Sequence, residues 1–273
     1  MRCLLAIAAL GFAALLAGAI TVYAGWYDIS ATDQHLAPTY RLLDYAMRRS
    51  VKFRAHDIEV PDLKDERRIQ AGAFLYREHC LQCHGGPSVA PAPFALGMTP
   101  VPVPLVHTAR AWTPAEMFWV VKEGIKMTGM PAWKYRMTDE ETWSVVAFLP
   151  AMARMTPEEF RNLSVGPPER LRSEASLEEP SAKRGERAIN QYACVTCHEI
   201  PGIVGSNAPV GPPLKGVASR GILGGVLPNS PENMILWLRF PQKVSPLTAM
   251  PDLGVTEQDA RDIAAYLESL RAR

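Results

Sequence analysis

The 273-residue sequence predicts an all-α protein with an N-terminal transmembrane helix followed by two tandem small helical domains. Three observations predict it. Residues 3–24 carry no charged side chain. The five-residue pattern Cys-x-x-Cys-His occurs twice, as Cys80-Leu81-Gln82-Cys83-His84 and Cys194-Val195-Thr196-Cys197-His198. Around each copy the same features recur in the same order: a helix into the motif, an irregular stretch, a methionine followed by proline, and a closing amphipathic helix.

Residues 1–24 read as a signal-anchor helix, because an uncharged run of this length can cross a bilayer. Val22-Tyr23-Ala24 also offers a passable cleavage site, but a secretory signal has a shorter apolar region, so the anchor is preferred. Arg41, Arg48, Arg49, Lys52 and Arg54 follow the run and only Arg2 precedes it, which by the positive-inside rule alone favours the inverse topology. Residues 25–66 read as a stalk. Pro38 can start a helix at Thr39, in which Tyr40, Leu43, Tyr45, Met47, Val51 and Phe53 interleave with the basic residues. Such a helix can lie on a membrane surface, dock on a neighbouring subunit, or pack on the first domain. Val60-Pro61 ends it.

The first domain is placed at 67–164, with a leading helix over 67–78 and a closing helix over 139–149. Thr138 and Glu141 form a capping-box pattern there, and Pro150 is the expected stop. A linker rich in Pro, Glu and Ser covers 165–180. The second domain is placed at 181–273, closing with a helix over 257–270 that Thr256 and Asp259 begin. Gly72 and Gly185 in the leading helices suit a close crossing by the closing helix. Gly72 stands eight residues before its motif and Gly185 nine.

The repeated pentapeptide is the c-type haem attachment pattern. Two thiols add across the two vinyl groups of one porphyrin, and the histidine that follows turns its imidazole onto the iron. One short helical turn places all three groups under one ring face. Five cysteines and six histidines in random order would give roughly 0.002 such patterns in a chain of this length. Zinc sites and redox dithiols also use paired cysteines, but neither needs a histidine directly after the second. Cys3, embedded in the apolar run, is left over as a small hydrophobe, so no disulfide is expected. A net charge of +1 gives no electrostatic case for nucleic acid. Attachment of c-type haem outside the cytoplasmic membrane sets the expected topology, with one span and both domains in the periplasm.

Both halves resemble class I cytochrome c domains, and the resemblance covers residues 67–273. It rests on the two pentapeptides, on Ala249-Met250-Pro251-Asp252-Leu253-Gly254 and on Thr128-Gly129-Met130-Pro131-Ala132-Trp133. It implies two covalently attached haem c groups, with Cys80, Cys83, Cys194 and Cys197 as attachment points. It also implies His84 with Met130, and His198 with Met250, as iron ligands. Met98, Met117, Met127, Met137 and Met234 read as core methionines. In the family a proline carbonyl within Gly-Pro-x-Leu orients the ligand histidine. Gly211-Pro212-Pro213-Leu214 matches, so Pro212 is the implied partner of His198. The first half has Pro100-Val101-Pro102-Val103-Pro104-Leu105, without the glycine, and Pro102 or Pro104 is the expected acceptor for His84. Trp133 and Trp237 read as core aromatics, or as indole donors to haem propionates.

The segment after the anchor, Gly25-Trp26-Tyr27-Asp28-Ile29-Ser30-Ala31, together with Phe118-Trp119-Val120-Val121-Lys122 and the Met130 segment, resembles membrane-anchored bacterial respiratory cytochromes. The second half, with Trp237-Leu238-Arg239 before Met250-Pro251, resembles the cytochrome domain fused to some haem–copper oxidase subunits. The expected role is therefore one-electron transfer rather than catalysis. The donor would be a quinol–cytochrome c reductase or a periplasmic dehydrogenase, and the acceptor a terminal oxidase. The alternatives are a dihaem peroxidase, which needs an iron with an open position, and a fixed electron-entry subunit of a larger complex.

Overall fold

The computed structural model describes residues 2–33, 35–106, 111–163, 177–206, 208 and 210–270. Most of the expected linker, 165–176, lies outside the described residues. The chain is mostly helical and divides into two compact units. One comprises residues 1–131 and 139–168, the other 132–138 and 169–273.

The first unit opens with α1 (Arg2–Tyr23), a 22-residue apolar helix with no buried residue and long enough to cross a membrane. Helix α2 (Ala37–Ala55) has Pro38 in its first turn, where the missing N–H costs nothing. Helix α3 (Glu66–His79) leads into the first motif, and Asp65 caps it by accepting from the Arg67 N–H. Two one-turn helices follow, α4 (Leu81–His84) and α5 (Pro93–Leu96). A full capping box of Thr113 and Glu116 starts α6 (Pro114–Glu123). The closing helix is α7 (Asp139–Met152), and α8 (Pro157–Arg161) follows it. Pro150 does not stop α7 but sits inside its last turn. The reason is tertiary: Met152 is wholly buried, and the Ala153 N–H still reaches Leu149 O at 3.2 Å.

The core of this unit is the α3–α7 crossing. An added Cβ on Gly72 would lie 1.9 Å from the Ser144 carbonyl oxygen, so only glycine lets the two backbones approach this closely. Tyr76 and Phe148 meet beside the crossing at 5.5 Å between ring centroids. Phe118 of α6 stacks on Trp143 of α7 at 4.1 Å. Of the three places open to α2, the structure shows packing on the first unit. Val51 and Ala55 are buried against α6, and Arg48 lies over the Trp112 ring at 5.2 Å.

The second unit begins with α9 (Ala182–Gln191), capped by Ser181. The antiparallel pair β1 (Ile222–Leu223) and β2 (Leu227–Pro228) forms a short hairpin. Then come α10 (Pro231–Arg239), α11 (Pro241–Val244) and the closing helix α12 (Glu257–Ser269). Thr256 starts α12 by accepting from the Asp259 N–H, as its sequence position suggested. Helices α9 and α12 repeat the crossing: a Cβ on Gly185 would lie 2.0 Å from the Asp262 carbonyl oxygen. The Asp262 carboxylate is buried there and accepts from Ser181 N–H at 2.6 Å and Arg184 Nε at 2.7 Å. That pairing satisfies a charge that burial alone would make costly. Residues 132–138 group with this unit: Tyr192 Oη donates to Tyr135 O and Arg136 to Gln191 O.

Candidate haem-binding sites

Both motifs form the single tight turn that their chemistry requires. In the first, the Cys83 and His84 N–H groups donate to Cys80 O at 3.1 and 2.9 Å. In the second, the Cys197 and His198 N–H groups donate to Cys194 O at 3.2 and 2.9 Å. The approaches differ. Helix α3 runs straight into Cys80, whereas α9 stops at Gln191 and Ala193 adopts a left-handed conformation, φ 55°, before Cys194. That turn absorbs the one extra residue between Gly185 and its motif.

Burial pushes the Cys80 thiol up to about 12 and the Cys194 thiol up to about 11. No disulfide joins any of the five cysteines, and Cys3 is exposed on α1. Among the described residues no group of three or more His, Cys, Asp or Glu side chains is placed to hold a metal ion.

Each motif histidine is held at Nδ1 by a backbone carbonyl. His198 Nδ1 lies 2.8 Å from Pro212 O, on the residue that the resemblance implied. His84 Nδ1 lies 2.8 Å from Val103 O, so neither Pro102 nor Pro104 is the acceptor. The register explains the difference. Pro212 precedes Pro213-Leu214, and Val103 precedes Pro104-Leu105. The shared feature is a carbonyl directly before Pro-Leu, and not a proline at the acceptor itself. A residue before proline is confined to extended backbone, which fixes where its carbonyl points. Gly211 matters by proximity: its added Cβ would lie 2.5 Å from His198 Cε1, so the chain runs directly against the ring. The Gly211 N–H donates to Cys197 O at 2.7 Å, and Arg220 donates to Pro213 O, pinning the segment on both sides. Burial lowers the affinity of His84 for a proton, partly offset by its bond to Val103. A neutral imidazole with Nδ1 occupied keeps Nε2 for a metal.

The carbonyl that follows each motif histidine is also satisfied, by different donors. Gly85 O accepts from the buried Tyr76 phenol at 2.7 Å, and Glu199 O accepts from Leu214 N–H at 2.8 Å. Burial holds the Tyr76 phenol above the usual tyrosine range, so it stays a donor.

Met130 and Met250 are both half-buried and share a local device that the sequence reading missed. The Met130 N–H donates to Thr128 Oγ1 at 3.1 Å, and the Met250 N–H to Thr248 Oγ1 at 3.2 Å. Thr128 Oγ1 also donates to Ile125 O at 2.8 Å. The repeated signal was Thr-x-Met-Pro, legible in both halves once they are aligned on the methionine. Gly129 leaves room for Met98, whose sulfur an added Cβ would meet at 2.7 Å. Trp237 packs against Gly224 in the hairpin, where a Cβ would lie 2.4 Å from its ring. Trp133 opens the 3-10 turn Trp133–Tyr135.

The donor set fits haem c: two cysteines and an imidazole on one turn, the imidazole oriented by a carbonyl, and a thioether on a separately braced turn in the same half.

Comparison with known proteins agrees with the fold. Residues 67–149 match the family described as cytochrome c oxidase, cbb3-type, subunit III, and residues 182–271 match cytochrome c. Cytochrome c oxidase subunit 2 of Alkalihalophilus pseudofirmus is 31% identical over 101 residues, which cover 36% of this chain and 29% of that subunit. The match thus spans less than a third of that relative's length. A chain of the Kuenenia stuttgartiensis reducing HAO-like protein complex aligns over 78% of this chain and 99% of its own, with 18% identity and a TM-score of 0.25. The two halves are cytochrome c-type domains, and with the apolar N-terminal helix the chain fits a membrane-anchored dihaem cytochrome c.

Proposed function

We propose that this electron-transfer cytochrome works in a bacterial respiratory chain, tethered to the cytoplasmic membrane by α1 with both domains in the periplasm. It passes single electrons from a quinol–cytochrome c reductase or periplasmic dehydrogenase toward a terminal oxidase. Cys80 and Cys83 hold one haem c by thioether bonds, and Cys194 and Cys197 hold the other. His84 with Met130, and His198 with Met250, are the ligands. When bound, haem iron with this pair of ligands supplies a one-electron couple of higher potential than bis-histidine ligation gives. Val103 and Pro212 keep each Nδ1 occupied, which would leave each Nε2 for the iron. Thr128 and Thr248 brace the methionine turns. With His84 and Met130 on one iron and His198 and Met250 on the other, neither iron would keep a free position for peroxide, which disfavours the peroxidase alternative.

The observation that carries this reading is the repetition of one arrangement in two halves, down to the histidine–carbonyl distance of 2.8 Å. The oxidase-subunit family matched by residues 67–149 and the oxidase-subunit relative support a terminal oxidase as partner, and also a fixed electron-entry subunit. Co-purification with other chains in mild detergent separates that second reading from a free carrier.

The test is spectroscopic. Intact mass should exceed that of the chain by two haem groups. Each ferric site should show a near-infrared sulfur-to-iron band. Met130→His and Met250→His should each abolish one band and lower one potential. A mass excess of one haem, or a high-spin iron in the wild type, would overturn the assignment.

A further inference from the structure

Helix α2 packs one face on the first unit and leaves the opposite face open. At 100° per residue, Arg41, Leu42, Tyr45, Arg49, Lys52 and Phe53 fall within one arc of about 120° that excludes the buried Val51 and Ala55. This arc extends about 18 Å along the helix. It is neither a polar solvent face nor a plain apolar one. Leu42 is 67% exposed, Tyr45 65% and Phe53 73%, with exposed cations between them. Asp44, the one acidic residue of α2, lies outside the arc and pairs with Arg48 at 3.0 Å.

We propose that this face of α2 docks on the surface of an anionic bilayer, its cations on lipid phosphates and its Leu, Tyr and Phe side chains at the headgroup–acyl boundary. The proposal rests on α1 being a retained membrane span.

Chain length selects lipid as the occupant. Thirteen residues, 24–36, separate α1 from α2, and fully extended they reach no farther than about 45 Å. The face is therefore tethered within reach of the membrane. Trp26 and Tyr27, on the same connection, are exposed and are of the types that settle at headgroup depth. Mixed aromatic and basic side chains on a helix fixed beside a span suit an anionic interface. The burial of Val51 and Ala55 makes α2 part of the domain rather than a free arm, so docking would also orient the first domain. The cations begin eighteen residues past Tyr23, at the far limit over which basic residues decide topology, so they weigh little against an outward orientation.

The experiment uses the full chain in lipid nanodiscs, either of phosphatidylcholine alone or containing phosphatidylglycerol. Amine acetylation of Lys52 is followed by mass spectrometry, with the exposed Lys126 as internal reference. Lys52 should react several-fold more slowly in the phosphatidylglycerol discs, with Lys126 unchanged. Arg41→Glu with Arg49→Glu should restore its reactivity, and so should Tyr45→Ser with Phe53→Ser, while both variants keep the wild-type haem spectrum. Equal Lys52 reactivity in the two lipids would overturn the proposal. So would equal protection in both lipids, or protection in detergent that grows with protein concentration, which would mark a second copy as the occupant. If the purified chain lacks α1 yet still shows lipid-dependent protection on vesicles, the anchor reading fails and the docking surface stands.

Discussion

A carbonyl oxygen 2.8 Å from an imidazole Nδ1 decides which ring nitrogen is left for a metal. In both halves that carbonyl belongs to the residue before Pro-Leu, where the following proline removes conformational choice. The methionine side is braced by threonine instead. Losing one neutral hydrogen bond costs about 1 kcal/mol, which is about a fivefold change in an equilibrium. Thr128→Val keeps the side-chain shape but removes the acceptor for the Met130 N–H. Imidazole should then displace the Met130 thioether about fivefold more readily, read as loss of one near-infrared band during titration. Thr248→Val should do the same to the other site, and Thr→Ser at either position should behave as wild type. Unchanged imidazole affinity in both valine variants would mean that the threonines shape the loops without supporting the ligands.

At the scale of the elements, the two helix crossings carry each domain. Gly72 and Gly185 meet backbone carbonyls, which unlike a flexible side chain cannot swing aside. Helix propensity alone favours alanine over glycine by about 1 kcal/mol, so on an exposed helix Gly→Ala would stabilise. At a crossing the sign reverses. Gly72→Ala must push α3 off α7 and loosen the packing of Tyr76 and Phe148. Gly185→Ala must push α9 off α12 and strain the buried Asp262 pairing. Each substitution should destabilise its own unit by about 2–3 kcal/mol, the range of overpacking in a filled core. Hydrogen exchange followed by mass spectrometry checks this unit by unit. Faster exchange should be confined to α3 and α7 in one variant, and to α9 and α12 in the other. A rise in stability on either substitution would show that the helices can part without cost.

At the scale of the molecule, an apolar helix long enough to span a membrane and two cytochrome c-type domains are joined in one chain. A 22-residue helix is about 33 Å long, enough for a hydrocarbon core of about 30 Å. Among the described residues, none buries a side chain of α1. A tethered carrier keeps a high effective concentration near partners in the same membrane. The native protein should therefore stay with membranes through a high-salt wash and leave them in detergent. Replacing residues 1–24 by a cleavable signal should give a soluble, red, periplasmic protein. Recovery of the native chain as a soluble species beginning at Gly25 would show that the segment is only a signal peptide.

What the sequence determined by itself was whatever depends on neighbours along the chain. Five consecutive residues make each motif turn, 22 make the apolar helix, and the Met-Pro segments and their threonines are local as well. Pro212 was legible because Gly211-Pro212-Pro213-Leu214 matches the Gly-Pro-x-Leu stretch of the family that the sequence resembles. Val103 was not, because it stands nineteen residues from His84 in a stretch where valine and proline alternate. Only the path of the folded chain selects one of those carbonyls. Pro150 reads as a helix stop from its own chemistry, yet burial of Met152 carries α7 past it. The two faces of α2 follow from helical period alone. Which face is covered was decided by the tertiary structure, where α6 presents the surface that receives Val51 and Ala55. Covalent chemistry and helical period act over a few residues and are written in order along the chain. A choice among similar carbonyls, or between two faces of one helix, is made by groups that only folding brings together.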